Sequence, residues 1–360
     1  MNKVISVMAK KAKHACRYIK ISAGLYAKED LPEYDFNLLL EKWPYRDPCC
    51  VLDPTTKGQM ISKEVDLSLC IPMYNVENSV ITLLEQIESQ KTCYKFEVIL
   101  VDDGSTDATQ ELARNFIAGK SKYRMIVQEN GGLSAARNTA IENAVGGYLT
   151  FIDSDDEISE NYVEALMSVA ISENADIVKG SYSLKRGDKL YYRGAIPGYA
   201  WGSVFRANLF DRIRFPIGYW YEDMVTSFLL MPLSKKTIVI ETPVAYHVDV
   251  SGSLSKVQLS AKNYRPLEHL YLVFSLTKAF HSLGISDRRY LNERLVKECS
   301  YLMVQRTANF ENETRKQIFL ACNALFVDQK VVSSDFSGME RIFVKAILGK
   351  DYAAWKLAGK

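Results

Sequence analysis

Between Asp66 and Glu241, short and nearly uninterrupted apolar runs alternate with segments whose apolar positions recur at helical spacing. That is the pattern of βαβ units around a mainly parallel sheet. Leu67 to Ile71 predicts a strand ended by Pro72, and Val80, Leu83, Leu84 and Ile87 predict the buried face of a helix over Glu77 to Gln90. Phe96 to Val101, Tyr123 to Gln128 and Tyr148 to Ile152 predict three further strands, with helices over about Asp107 to Ala118 and from the Gly131-Gly132 turn to Val145. A helix around Glu160 to Ile171, a strand at Asp176 to Ser181 and a hairpin turning at Arg186-Gly187-Asp188 come next, after which the order becomes mixed.

Beyond Ser255 the pattern is helical, with segments near Pro266 to Leu283, Tyr290 to Arg306, Arg315 to Leu325 and Phe336 to Leu348. The first 65 residues suit one or two helices and a connector containing Pro44, Pro48 and Pro54. The expected organisation is an α/β domain over 66–255, a short basic helical extension and connector over 1–65, and a helical region over 256–360.

A chain of 360 residues, 48% hydrophobic and 24% charged, is long enough for two or so domains and a sizeable core. Forty-five basic residues against 43 acidic ones leave no cationic field for nucleic acid. Seven cysteines without Cys-x-x-Cys spacing suggest neither a disulfide framework nor a zinc site, and a reducing cytoplasm fits them. The longest charge-free stretch, Gly194 to Phe205, is 12 residues and falls far short of the roughly 20 that a spanning helix needs.

In an open parallel sheet the ligand site lies beyond the carboxyl ends of the strands. Three polar clusters fall there: Pro72-Met73-Tyr74-Asn75, Asp102-Asp103-Gly104-Ser105 and Asp153-Ser154-Asp155. An Asp-x-Asp pair offers oxygen ligands to a hard divalent cation and leaves positions for phosphate oxygens, whereas a single acidic cluster would equally serve to cap a helix. Gly-x-Gly-x-x-Gly and Gly-x₄-Gly-Lys patterns are absent, which removes dehydrogenase and P-loop readings.

Together the three clusters, with Gly131-Gly132-Leu133-Ser134-Ala135-Ala136-Arg137-Asn138 and Tyr221-Glu222-Asp223, resemble the family 2 glycosyltransferases of the GT-A fold over about residues 66–255. The resemblance implies a Rossmann-like, mixed but mainly parallel sheet flanked by helices. It implies that Pro72 and Tyr74 line a nucleobase pocket, that Asp103 hydrogen-bonds the base, that Asp153 faces ribose or metal, and that Asp155 ligates Mn²⁺ or Mg²⁺. By the same resemblance Asp223 is the general base that deprotonates the acceptor hydroxyl, and Glu222 is its companion. An aromatic ring such as Tyr74 can stack on a pyrimidine, and a carboxylate accepts the imide N–H of uracil, which favours a UDP-sugar donor. Arg137 can reach the diphosphate with a charge-assisted fork or form a surface ion pair. Glu222-Asp223 can also be read as the cap of a helix running through Leu230.

The resemblance weakens at Trp201-Gly202-Ser203-Val204-Phe205 and at Val248 and Val250, where relatives carry Lys or Asn, Leu-Tyr and arginines. Trp201 is either a sugar-stacking platform or core, and His247 either a metal or diphosphate partner or a packed residue. The basic groups Lys3, Lys10, Lys11, Lys13, Arg17, Lys20 and Lys28, and the last 20 residues with Ile342, Phe343, Ile347, Tyr352 and Trp355, suit either an anionic membrane surface or ordinary packing. The expectation is an inverting hexosyltransferase, cytoplasmic or peripheral at the inner face of the plasma membrane, acting on a glycan or lipid-linked glycan. A nucleotidyltransferase and a non-catalytic sugar-nucleotide-binding scaffold are the alternatives.

Overall fold

The apolar run at residue 67 becomes a strand buried along its whole length, Leu67–Met73, here β1. It continues through Pro72, because proline's fixed φ is compatible with extended backbone and only one donor is lost. The computed structural model describes residues 16–18, 20–53, 55, 61–187, 189–195, 198–248 and 263–358. Among them nine strands form one sheet. After β1 these are β2 Phe96–Asp102, β3 Tyr123–Val127, β4 Tyr148–Phe151, β5 Glu157–Ile158, β6 Ile177–Arg186, β7 Lys189–Ala195, β8 Ser203–Arg206 and β9 Thr237–Val248. The order is β3-β2-β1-β4-β8-β6-β9-β5, with β7 paired to β6. β1 to β4 pair in parallel, β8 is antiparallel to both β4 and β6, and β6 and β9 are parallel.

The helix after β1 is shorter than its apolar periodicity suggests, Val80–Glu88. Backbone donors before it are already used: Val76 N–H donates to Thr109 Oγ1 (2.7 Å) and Glu77 N–H to Asp107 Oδ2 (3.2 Å). Its buried residues are the four that the spacing selects, Val80, Leu83, Leu84 and Ile87, and they pack on β1 and β2. β6 outruns its expected end at Ser181, since β7 pairs with its outer half up to Arg186. The hairpin residue Asp188 lies outside the described residues.

The chain divides into two units, Pro48–Val257 with Ala279–Ile285, and Met1–Asp47 with Gln258–Lys278 and Ser286–Lys360. In the second unit the amino-terminal segment is fastened to the carboxy-terminal helices. Tyr271 Oη donates to Leu39 O (3.0 Å) and Trp43 O (2.7 Å), and Gln317 Nε2 donates to Glu33 O (2.9 Å). The apolar residues near the carboxyl end are packing residues. Phe343, Ile347, Tyr352 and Trp355 are buried, Trp355 stacks on Tyr352, and its Nε1 donates to Cys299 O (3.0 Å). Lipid contact through them would require them to leave that core. The amino-terminal lysines Lys3, Lys10, Lys11 and Lys13 lie outside the described residues. No helix among the described residues is long and apolar enough to cross a membrane.

Gly146 shows how tightly β4 is led in beside β1: a Cβ there would lie 2.6 Å from Ser68 N and 2.7 Å from Leu67 C. Backbone cannot step aside as a flexible side chain can. Gly146→Ala is therefore expected to lower unfolding free energy by roughly 1–3 kcal/mol, as overpacking does, read as a lower urea midpoint.

Candidate functional site

Because β2, β1 and β4 are neighbours in parallel register, their carboxyl ends bring the three polar clusters to one edge. Asp103 N–H donates to Met73 O (2.9 Å), tying the first two together. Asn75, in the left-handed region at φ 52°, locks the turn: its Oδ1 accepts from Thr106 N–H (2.8 Å) while its own N–H donates to Ser105 Oγ (3.0 Å). Tyr74 projects from this turn with 49% of its surface exposed. Pro72 is buried within β1.

Asp103 is buried and already engaged. Its Oδ1 accepts from Gln128 Nε2 (2.7 Å) and Gly131 N–H (2.9 Å), and its Oδ2 accepts from Gly132 N–H (2.7 Å). It thereby holds the entry to helix Leu133–Asn143. Glycine is required at that entry: Gly132 has φ +85°, and a Cβ on Gly131 would meet Ala135 Cβ at 2.7 Å.

Arg137, on that helix, is 1% exposed. Its Nη2 donates to Asp153 Oδ1 (3.0 Å), and its Nη1 to Glu222 Oε1 (3.1 Å) and Asp223 Oδ1 (3.2 Å). The guanidinium that the sequence offers to a diphosphate or to a surface ion pair is thus turned inward onto three carboxylates, over the Phe215 ring at 5.3 Å. Burial works against its charge, but Asp153, Asp223 and Glu222 outweigh that and raise its pKa, so it stays protonated. The next residue secures the Phe215 segment through a reciprocal pair: Asn138 Nδ2 donates to Phe215 O (2.9 Å) and Phe215 N–H to Asn138 Oδ1 (2.8 Å).

The Glu222-Asp223 pair sits on a sharp turn. Tyr221 before it has φ +66°, Thr226 N–H donates to Asp223 O (2.9 Å), and a π-helical turn, Thr226–Leu230, follows. The helical turns begin at Met224, and the Asp223 side chain at their start is engaged elsewhere. Its Oδ1 instead accepts from Ala200 N–H (3.1 Å) and Arg137. Burial, with Glu222 and Asp153 close by, pushes the Asp223 pKa up to about 7 despite the arginine. One positive group facing three negative ones leaves the cluster short of positive charge.

Beside it, Asp155 is exposed, and burial of its carboxyl group among protein atoms followed by the neighbouring Asp153 raises its pKa. Asp156 is the residue that the strand-end pattern does not single out. It is buried, accepts from Val248 N–H at Oδ1 (3.0 Å) and meets His247 Nδ1 at 2.9 Å. Burial drives Asp156 up to about 6, and the hydrogen bond to Asp156 raises His247. A third acid in the Asp153-Ser154-Asp155-Asp156 run, together with a lone histidine further along, was the available signal. Trp201 is half-buried, edge-on to Tyr182 at 5.4 Å and roughly parallel to His247 at 6.2 Å.

Among the described residues no group of three or more His, Cys, Asp or Glu side chains stands ready to hold a metal ion. Asp153 and Asp155 nonetheless make a hard oxygen pair next to a cluster with excess negative charge. A divalent cation that takes its remaining ligands from a diphosphate and water suits such a pair.

A mixed sheet with this edge defines the GT-A architecture, and residues 1–349 of S. aureus TarS share it, with a TM-score of 0.62 at 18% identity over 82% of this chain and 90% of that one. Residues 68–229 match the family model "Glycosyl transferase family 2", so that segment is similar to this family. It is 31% identical to glycosyltransferase GlyA of Streptococcus pneumoniae over 73% of its length and 44% of GlyA. It is 29% identical to the putative glycosyltransferase EpsH of Bacillus subtilis over 53% of its length and 63% of EpsH. The chain therefore spans only about half the length of these relatives.

Arg137→Met would leave Asp153, Glu222 and Asp223 without their shared cation. The expected cost is about 3 kcal/mol, typical of breaking a buried pair, measured by urea unfolding. Arg137→Lys should recover only part of it, since a point charge replaces a fork.

Proposed function

We propose that this protein transfers a sugar from a UDP-sugar to a hydroxyl of a cell-envelope glycan, with inversion at the anomeric carbon. The observation that carries the reading is the gathering of Asp153, Glu222 and Asp223 on one buried arginine, within the segment that matches the family. In one displacement the acceptor oxygen bonds to the anomeric carbon, the bond from that carbon to the diphosphate oxygen breaks, and the acceptor proton passes to Asp223. A carboxylate titrating near 7 is well matched to that proton transfer.

Asp153 and Asp155 would hold Mn²⁺ or Mg²⁺, which when bound supplies Lewis-acid stabilisation to the departing diphosphate. Arg137 keeps Asp153 and Asp223 in fixed relation rather than gripping the diphosphate itself. Tyr74 supports a stacked nucleobase through its exposed ring. Asp103 accepts three hydrogen bonds from the protein, and a carboxylate with about four lone-pair sites keeps one for a uracil imide N–H. S. aureus TarS has been crystallised with UDP and with UDP-GlcNAc. The sugar transferred by this chain follows from pocket shape rather than from these residues. Action on an envelope glycan fits a protein at the cytoplasmic side of the membrane, held there through its basic amino-terminal segment.

Asp223→Asn is expected to lower sugar transfer by about 10²–10⁴-fold while UDP still binds, measured as UDP release from a panel of UDP-sugars. Transfer at the wild-type rate would remove Asp223 from the role of base. Since the base must be ionised, kcat/KM for the wild-type protein should be full above about pH 7 and fall as pH drops through that value. A flat profile down to pH 5 would contradict the assignment.

A further inference from the structure

Residues paired across neighbouring strands share a sheet face, and alternate residues of one strand take opposite faces. Tyr182 and Leu184 of β6 therefore lie on the same face as Tyr191 of β7, which pairs with Leu184, and as His247 of β9, which also pairs with Leu184. Trp201 joins this face: its ring meets Tyr182 edge-on, runs roughly parallel to His247, and runs parallel to Tyr199 at 6.4 Å and 20°. Tyr199 and Tyr191, at the two ends, are 47% and 44% exposed.

One end of the strip is fixed to the reaction centre. Ala200, between Tyr199 and Trp201, donates its N–H to Asp223 Oδ1 at 3.1 Å. Among the described residues the other end of the strip is partly exposed at Tyr191. Opposite Tyr182 stands Gly194, where the β6–β7 register shifts by one residue; its φ is +81° and a Cβ added there would meet nothing within 4 Å. A bulge with glycine at its turning point leaves Tyr182 without a cross-strand side chain from β7.

We infer that this aromatic strip is the acceptor subsite and that it takes a saccharide chain rather than a single sugar. The receiving sugar lies at Tyr199 and Trp201 beside Asp223, and the preceding sugars lie over Tyr182 and Tyr191. A pyranose presents an apolar C–H face rimmed by hydroxyls, and tyrosines present a flat apolar body with a polar tip. A lipid chain would call for aliphatic residues, and on this face of the hairpin Leu184 is the aliphatic residue among the rings. From Tyr182 to Tyr191 is one strand across and two residues along, roughly 8 Å by strand geometry, which carries the strip beyond one sugar ring. The inference rests on the transferase reading, because Asp223 defines which end of the strip is reactive.

The test uses the full chain and chito- and β-gluco-oligosaccharides from single sugars to hexasaccharides, with binding followed by tryptophan fluorescence and saturation-transfer NMR. Affinity should rise with chain length in the wild-type protein. Tyr191→Ala should abolish the gain from longer chains, a loss of roughly five- to tenfold for one stacking ring, and Tyr191→Phe should restore it. Tyr199→Ala should weaken every length, single sugars included. Absence of saccharide binding, length-independent binding, or a Tyr191→Ala protein that matches wild type would overturn the inference. So would binding to phosphatidylglycerol vesicles that depends on Tyr191 in place of saccharide binding. UDP titration of the same preparations separates the failures: a protein that binds UDP without a length effect loses only the strip, and one that fails to bind UDP loses the transferase reading.

Discussion

The carboxylates of Asp153, Glu222 and Asp223 at the ligand edge of the sheet depend on one buried guanidinium. Arg137 holds Asp153, Glu222 and Asp223, which come from two loops far apart in the chain, within 3.0 to 3.2 Å of its two terminal nitrogens. Only a fork of several donors can do this, and only a group that stays charged when buried can be placed there. The cluster is deliberately undercharged. Burial keeps Asp223 reluctant to ionise, and Glu222 and Asp153 add to that against the opposing pull of Arg137.

The surrounding backbone bears the cost of that arrangement. Tyr221 and Asn75 adopt positive φ, Gly132 turns the helix entry that Asp103 secures, and a π-helical turn follows Glu222-Asp223. Such conformations persist where the surroundings over-determine them. Here the reciprocal Asn138–Phe215 hydrogen bonds and the Ala200 N–H on Asp223 supply that constraint. The second unit has a different economy, with aromatic packing around Trp355, Tyr352 and Phe319.

Much of the fold was legible in the chain. The apolar runs of β1, β2 and β4 and the helical spacing of Val80, Leu83, Leu84 and Ile87 are local signals, and they appear where periodicity puts them. The strand-end rule also brought the Tyr74, Asp103 and Asp153 clusters to one edge. What escaped was non-local. Nothing near Arg137 in sequence tells that its partners are 16, 85 and 86 residues away. The pairing of β6 with β9, and of Asp156 with His247, likewise depends on contacts that no short window contains. Tyr352 and Trp355 read equally as lipid-facing or core residues until their neighbours are known.

The central claim is that the Arg137-centred carboxylates form a site completed by a metal ion and a uridine diphosphate. Calorimetric titration of the wild-type protein with UDP, with GDP as the control and each with and without Mn²⁺, addresses it most directly. The account predicts UDP binding that is strong only when Mn²⁺ is present and weak GDP binding in either case. Failure of folded protein to bind UDP, or binding indifferent to Mn²⁺, would contradict it.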